Sequence, residues 1–188
     1  MRFSARIGPA LLSLASVSLS LIFANPAAAE VLESETFESR ILGQDVAYSI
    51  YLPKLYADGT QRFPVTYLLH GLNGDETDWL QYGDAARQLD RLIGSGRIAP
   101  MIVVMPAATN TFYINDHRNE RRYGDMFVEE LLPHIDTSYR TRAARDFRAL
   151  TGSSMGGYGC MVLALKHPTH FSVCAAIMPA IRTDAEMI

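Results

Sequence analysis

The chain has 188 residues, of which 48% are hydrophobic and 20% charged, with a formal net charge of -3. That size fits one domain, and the balance excludes a disordered chain. The weak negative charge, without a basic run, excludes nucleic acid as an electrostatic partner. Cys160 and Cys174 lack the partner cysteines of a metal site, so no metal and no cofactor is expected.

The chain opens with Arg2 and Arg6, continues through an apolar stretch over residues 10–23, and reaches Ala27-Ala28-Ala29 before Glu30. A basic start, an apolar middle and small residues at the end are the layout of a secretory signal peptide. The apolar stretch is shorter than the roughly 20 residues a spanning helix needs. The reading is a signal peptide over residues 1–29, removed on export to the periplasm or medium, with no stable membrane anchor left behind. The folded domain then runs over residues 30–188. Export permits a Cys160–Cys174 bridge, but the two are read as small buried hydrophobes.

Residues 46–53 alternate apolar and polar side chains and read as a half-buried strand. Residues 64–71 form an apolar run ending at Gly71, a buried strand. Residues 77–92 place Trp79, Leu80, Tyr82, Ala86, Leu89 and Leu92 at the spacing of an irregular helix capped by Thr77 or Asp78. Residues 99–106 are an apolar strand closed by Pro106, and the polar stretch 107–124 reads as a surface loop. An amphipathic helix follows over 125–139, disturbed by Pro133. A short strand over 146–152 runs into a helix over 154–168, and residues 171–179 form a last apolar strand. Near-continuous apolar strands alternating with helices predict an α/β fold, with a mostly parallel sheet and helices on both faces.

The junction of the penultimate strand and its helix reads Gly152-Ser153-Ser154-Met155-Gly156, a G-x-S-x-G pattern. A serine on a sharp strand-to-helix turn is lifted to the carboxyl edge of the sheet. Gly152 and Gly156 are required because the turn brings positions two before and two after the serine together. Ser154 is the candidate nucleophile. The Met155 N–H, first of the helix, points at the oxygen of any carbonyl that Ser154 attacks. A second donor is expected from the turn after His70-Gly71, the Leu72 N–H. His70 itself reads as a structural histidine packing that turn.

These residues resemble the esterase D-like group of α/β-hydrolases, which includes S-formylglutathione hydrolases, feruloyl esterases and bacterial mycolyltransferases. The resemblance is carried by "YLLHGLNGDETDW", "FVEELLPHIDTSYRT", "FRALTGSSMGGYGCMVLALKHP" and "FSVCAAIMP". It implies an α/β-hydrolase fold, Ser154 as nucleophile, and Leu72 and Met155 amides as oxyanion hole. It also implies a site wall that includes His70, Gly71, Trp79, Tyr113 and Asp116. The substrate implied is a small-molecule or carbohydrate-linked ester.

The sequence departs from that pattern after Ser154. The fold's triad runs serine, acid, histidine, yet the histidines that follow, His167 and His170, fall at the foot of the helix, about 20 Å from its start. Asp184 and Glu186 follow the last strand and are candidate acids. His117, in the loop, is a candidate non-standard base, and His134 lies upstream. None completes a triad, so its acid and histidine are not identified. The expectation is a hydrolase domain with its last strands missing. Acyl transfer through the same acyl-enzyme, or a non-catalytic module that binds in a relic cleft, are the other readings. A last one is pairing of the unfilled sheet edge with another chain.

Overall fold

The computed structural model describes residues 29–57 and 59–181; the signal peptide assigned over 1–29, all but its last residue, and the candidates Asp184 and Glu186 lie outside these residues. Six strands, among the described residues, form one sheet in the order β1-β2-β4-β3-β5-β6. They are β1 (Glu30–Ser39), β2 (Gln44–Leu52), β3 (Val65–Leu69), β4 (Ile102–Pro106), β5 (Arg148–Ser153) and β6 (Val173–Ile177). β3 runs parallel to both β4 and β5, and β5 parallel to β6. β1–β2 and β2–β4 are antiparallel.

The first strand was not legible. "EVLESETFES" offers only Val31, Leu32 and Phe37 as apolar residues and carries four glutamates. Such a charged strand suits a sheet edge, where one row of backbone groups faces water and side-chain hydrophobicity is not required. Its partner β2 has the interior pattern, with Tyr48, Ile50, Tyr51 and Leu52 all buried.

Helices cover both faces, as the alternation required. α1 (Asp78–Gln81) and α2 (Ala85–Gly94) replace the single helix expected over 77–92. The break lies at Gly83, where a Cβ would stand 2.7 Å from the Trp79 carbonyl oxygen, and at Asp84, which is left-handed at φ +49°. Trp79, Leu80, Leu89 and Ile93 pack there on Tyr51, Val103 and Met105. On the other face, α3 (Tyr123–Met126), a π-helical turn (Phe127–Leu131) and α4 (Leu132–Ser138) form one continuous helical segment. Proline removes one N–H and crowds the carbonyl four residues back; the wider π turn just ahead of Pro133 relieves both. Arg148 at the foot of β5 pairs with Asp136 of α4 and fixes this segment to the sheet. α5 (Met155–Lys166) completes that face, and its Met155, Cys160 and Leu163 join Met126, Phe127 and Leu131 in the main core.

The stretch over 107–124, expected as a surface loop, holds two fully interior tyrosines. Tyr113 is 0% and Tyr123 3% exposed. A tyrosine can be buried when its hydroxyl finds an acceptor. Tyr113 donates to the His70 carbonyl at 3.2 Å and Tyr123 to the Ala107 carbonyl at 2.7 Å. The two cysteines are free, Cys160 buried as expected and Cys174 exposed on β6, contrary to the expectation that both are buried.

Candidate active site

The carboxyl ends of β3, β5 and β6 meet at Ser154. The serine is exposed and sits in the left-handed region at φ +55°, ψ -117°, between β5 and the first residue of α5. A non-glycine residue at such angles is strained by about 1–3 kcal/mol and needs its surroundings to hold it. Those surroundings are backbone. The Ser154 N–H donates to the Ile177 carbonyl at 3.0 Å, and its own carbonyl accepts from Ala180 at 2.9 Å and from Tyr158 at 3.0 Å.

The glycines at 152 and 156 are required by contact. A Cβ on Gly156 would stand 2.3 Å from the Leu69 carbonyl oxygen and 2.7 Å from that of His70. One on Gly152 would meet the Leu69 oxygen at 2.7 Å and the Gly156 carbonyl carbon at 2.8 Å. The tight turn is therefore pressed onto the end of β3. The Trp79 indole N–H donates to that same Leu69 carbonyl at 3.1 Å. Trp79 thus supports the turn from beneath, packed in the core of the α1–α2 face.

Gly71 stands against the serine, since a Cβ there would lie 3.9 Å from the Ser154 Cβ. The Leu72 and Met155 amides donate to no protein group among the described residues. Two such amides beside an exposed serine can stabilise an alkoxide. The Leu72 side chain is 52% exposed, and that of Met155 is fully buried.

Tyr113 lies beneath the site. Its ring faces Gly159 so closely that a Cβ there would come within 2.5 Å of it, and burial pushes its phenol well above the usual range. The hydroxyl therefore remains a donor. Asp116 organises its own loop, accepting from the Arg118, Glu120 and Arg121 amides at 2.9–3.1 Å. It also borders a cavity of about 620 Å³ together with Phe112, Ile114, Asn115, His117 and Arg121. Ser154 does not line that cavity, but Phe112 links the two. Its ring meets that of Tyr158, one helical turn after Ser154, edge-on at 5.8 Å. Phe112 and Asn73 carried no periodic signal in the sequence. Asn73 exchanges two hydrogen bonds of 2.8 and 2.9 Å with Asn110 and so joins the Leu72 turn to the cavity loop.

The five histidines are all described, and none is placed as a base beside Ser154. His70 is buried with both ring nitrogens engaged. His117 is exposed and meets Arg118. His134 stacks on Phe37 and bonds Tyr48 of β2, and burial lowers its pKa. His167 and His170 face each other beyond the far end of α5. Cys160 does not compete as a nucleophile, because burial raises its thiol. Among the described residues no cluster of His, Cys, Asp and Glu could hold a metal ion.

Comparison with known proteins gives the family and the fold. The model of the Esterase family, described as "Putative esterase", matches residues 39–188. An endo-1,4-beta-xylanase/feruloyl esterase of Xylanibacter ruminicola is 34% identical over 147 residues, 74% of this chain and 20% of the relative. An esterase of Mycobacterium tuberculosis is 30% identical over 140 residues, 72% of this chain and 29% of its own. The solved structure of a ferulic acid esterase superposes with a TM-score of 0.78 at 29% identity, covering 84% of this chain and 61% of that one. The chain thus spans less than a third of these two relatives' length. A strand-to-helix serine turn, a mixed sheet covered by helices on both faces and a family match over most of the sequence agree: this is an α/β-hydrolase fold, and the chain belongs to the Esterase family.

Proposed function

We propose that the protein is an exported serine hydrolase of carboxylic esters. Ser154 Oγ forms a bond to the acyl carbon, and the alcohol leaves with a proton. Water then releases the acid from the acyl-enzyme. The Leu72 and Met155 N–H groups hold the oxyanion. The observation that carries this reading is the exposed, left-handed Ser154, held between two glycines pressed on the end of β3. The placement of the five histidines supports a second element of the proposal. The histidine that takes the serine proton, with its acid, is assigned to polypeptide outside the described residues. It reaches Ser154 from the β6 side, where Ile177 and Ala180 flank the serine. The relatives' names make ferulate esters of carbohydrates the first substrates to test.

The test uses a fluorophosphonate probe and p-nitrophenyl acetate on the 188-residue chain. Labelling, slow without the base, is expected at Ser154 and lost in Ser154→Ala. Turnover is expected to be poor, because losing triad members costs on the order of a millionfold. Labelling that survives Ser154→Ala overturns the nucleophile. Turnover at ordinary esterase rates overturns the placement of the base.

A further inference from the structure

His70 is 1% exposed, and both ring nitrogens are bonded to backbone. The Ala108 N–H donates to Nε2 at 2.9 Å. A ring nitrogen that accepts carries no proton, so the proton is on Nδ1. Nδ1 lies 2.7 Å from the Gly71 carbonyl oxygen, which only accepts. Two backbone groups therefore select one tautomer. The His70 carbonyl is held too, by the Tyr113 hydroxyl. Ala108 and Tyr113 both belong to the segment that ends in the cavity loop.

The Nδ1 bond bears on Ser154 through peptide planarity. The Gly71 carbonyl and the Leu72 N–H are opposite ends of one trans peptide unit, so fixing one fixes the other. His70 and the Gly74 N–H, at 3.2 Å, both hold the Gly71 oxygen. The Leu72 N–H is thereby turned away from the histidine, at a turn that stands against Ser154.

We infer that His70 is a positioning residue for the oxyanion hole: its Nδ1–H orients the Leu72 amide, and its Nε2 ties that orientation to the Ala108–Tyr113 segment. The inference rests on the reading of Ser154 as nucleophile and extends it to a side chain that never touches substrate. It also predicts that the two nitrogens have separable jobs. In Asn the amide nitrogen takes the place of Nδ1; in Gln the amide oxygen takes the place of Nε2.

The experiment compares the 188-residue chain with His70→Asn and His70→Gln. It reads the Leu72 and Ala108 amide signals and their exchange by NMR, and Tm, none of which needs an activated serine. His70→Gln is expected to shift the Leu72 amide and leave Ala108 protected from exchange. His70→Asn is expected to keep the Leu72 signal while Ala108 loses protection. Equal shifts of the Leu72 amide in both variants, or an unmoved Leu72 amide in His70→Gln, would overturn the proposal. Nitrogen NMR of the unmodified ring gives a readout that needs no variant: a proton on Nε2 refutes it. Fluorophosphonate labelling that survives Ser154→Ala would sink the nucleophile reading instead, and the tautomer and amide signals would still decide the role of His70.

Discussion

The two flanks of Ser154 are built by different rules. On the β3 side, the Leu69 carbonyl receives Trp79 and faces the tight approach of Gly152 and Gly156, while His70 is bonded through both ring nitrogens and its carbonyl. On the β6 side, Val173, Ile177 and Met178 are 54%, 46% and 80% exposed, and among the described residues the serine is met there by two backbone bonds. The first flank has no room, and the second is an apolar strand whose outer edge has no neighbour among the described residues. The lesson is a division of labour. The rigid flank sets the direction of the amides, and the open flank is where other polypeptide can approach the serine.

The sharpest way to break this comparison is to add one carbon on the rigid side. Gly156→Ala forces a methyl into two carbonyl oxygens that belong to backbone and cannot swing away. A loss of about 3 kcal/mol or more is expected, at the upper end for overpacking; urea denaturation checks it. A smaller change acts in the opposite direction at the serine itself. Ser154→Gly releases the strain of the left-handed residue and should gain about 1 kcal/mol while abolishing probe labelling. A gain measured as a higher Tm without labelling separates strain from chemistry. The smallest effect is expected on the open side. Ile177→Lys should change stability by no more than about 0.5 kcal/mol, because the side chain is half exposed and its backbone bonds are kept. It should nevertheless reduce concentration-dependent association in light scattering, since an exposed apolar edge strand invites pairing. A large loss of stability in Ile177→Lys would show that the two flanks are not so different.

The sequence announced both flanks, the open one as a strand at an unfilled sheet edge, but read Cys174 on it as buried. Apolar runs report a demand for burial and say nothing about which neighbour meets it. "VTYLL" and "IVVMP" find strands on both sides and are interior. "VCAAI" is just as apolar and lies at an edge, mostly exposed. The glycines at 152 and 156 were legible because a strand-to-helix turn with a serine leaves them no alternative. Tyr113 and Tyr123 were hidden in a polar stretch because their burial depends on hydroxyl acceptors at His70 and Ala107, distant in sequence. β1 escaped notice because an outer strand can be made mostly of charged residues. The role of His70 could not be separated from simple packing until the bonds of each ring nitrogen were known.

The π turn ahead of Pro133 has a consequence far from the serine. Its Glu130 carboxylate accepts from the Ser39 hydroxyl at 2.5 Å and from the Arg40 and Ile41 amides at 3.1 and 3.2 Å, clasping the corner where β1 turns into β2. A π turn carries one residue more than the α-helical count. Deleting a single residue between 127 and 131 would let the segment close to a regular helix without rotating either flank, whereas the same deletion in the α-helical turns on either side would rotate everything beyond it by about 100°. The π turn is thus the place where the main helix layer can absorb a change in length, and what such a change would cost is the Glu130 clasp on the N-terminal hairpin.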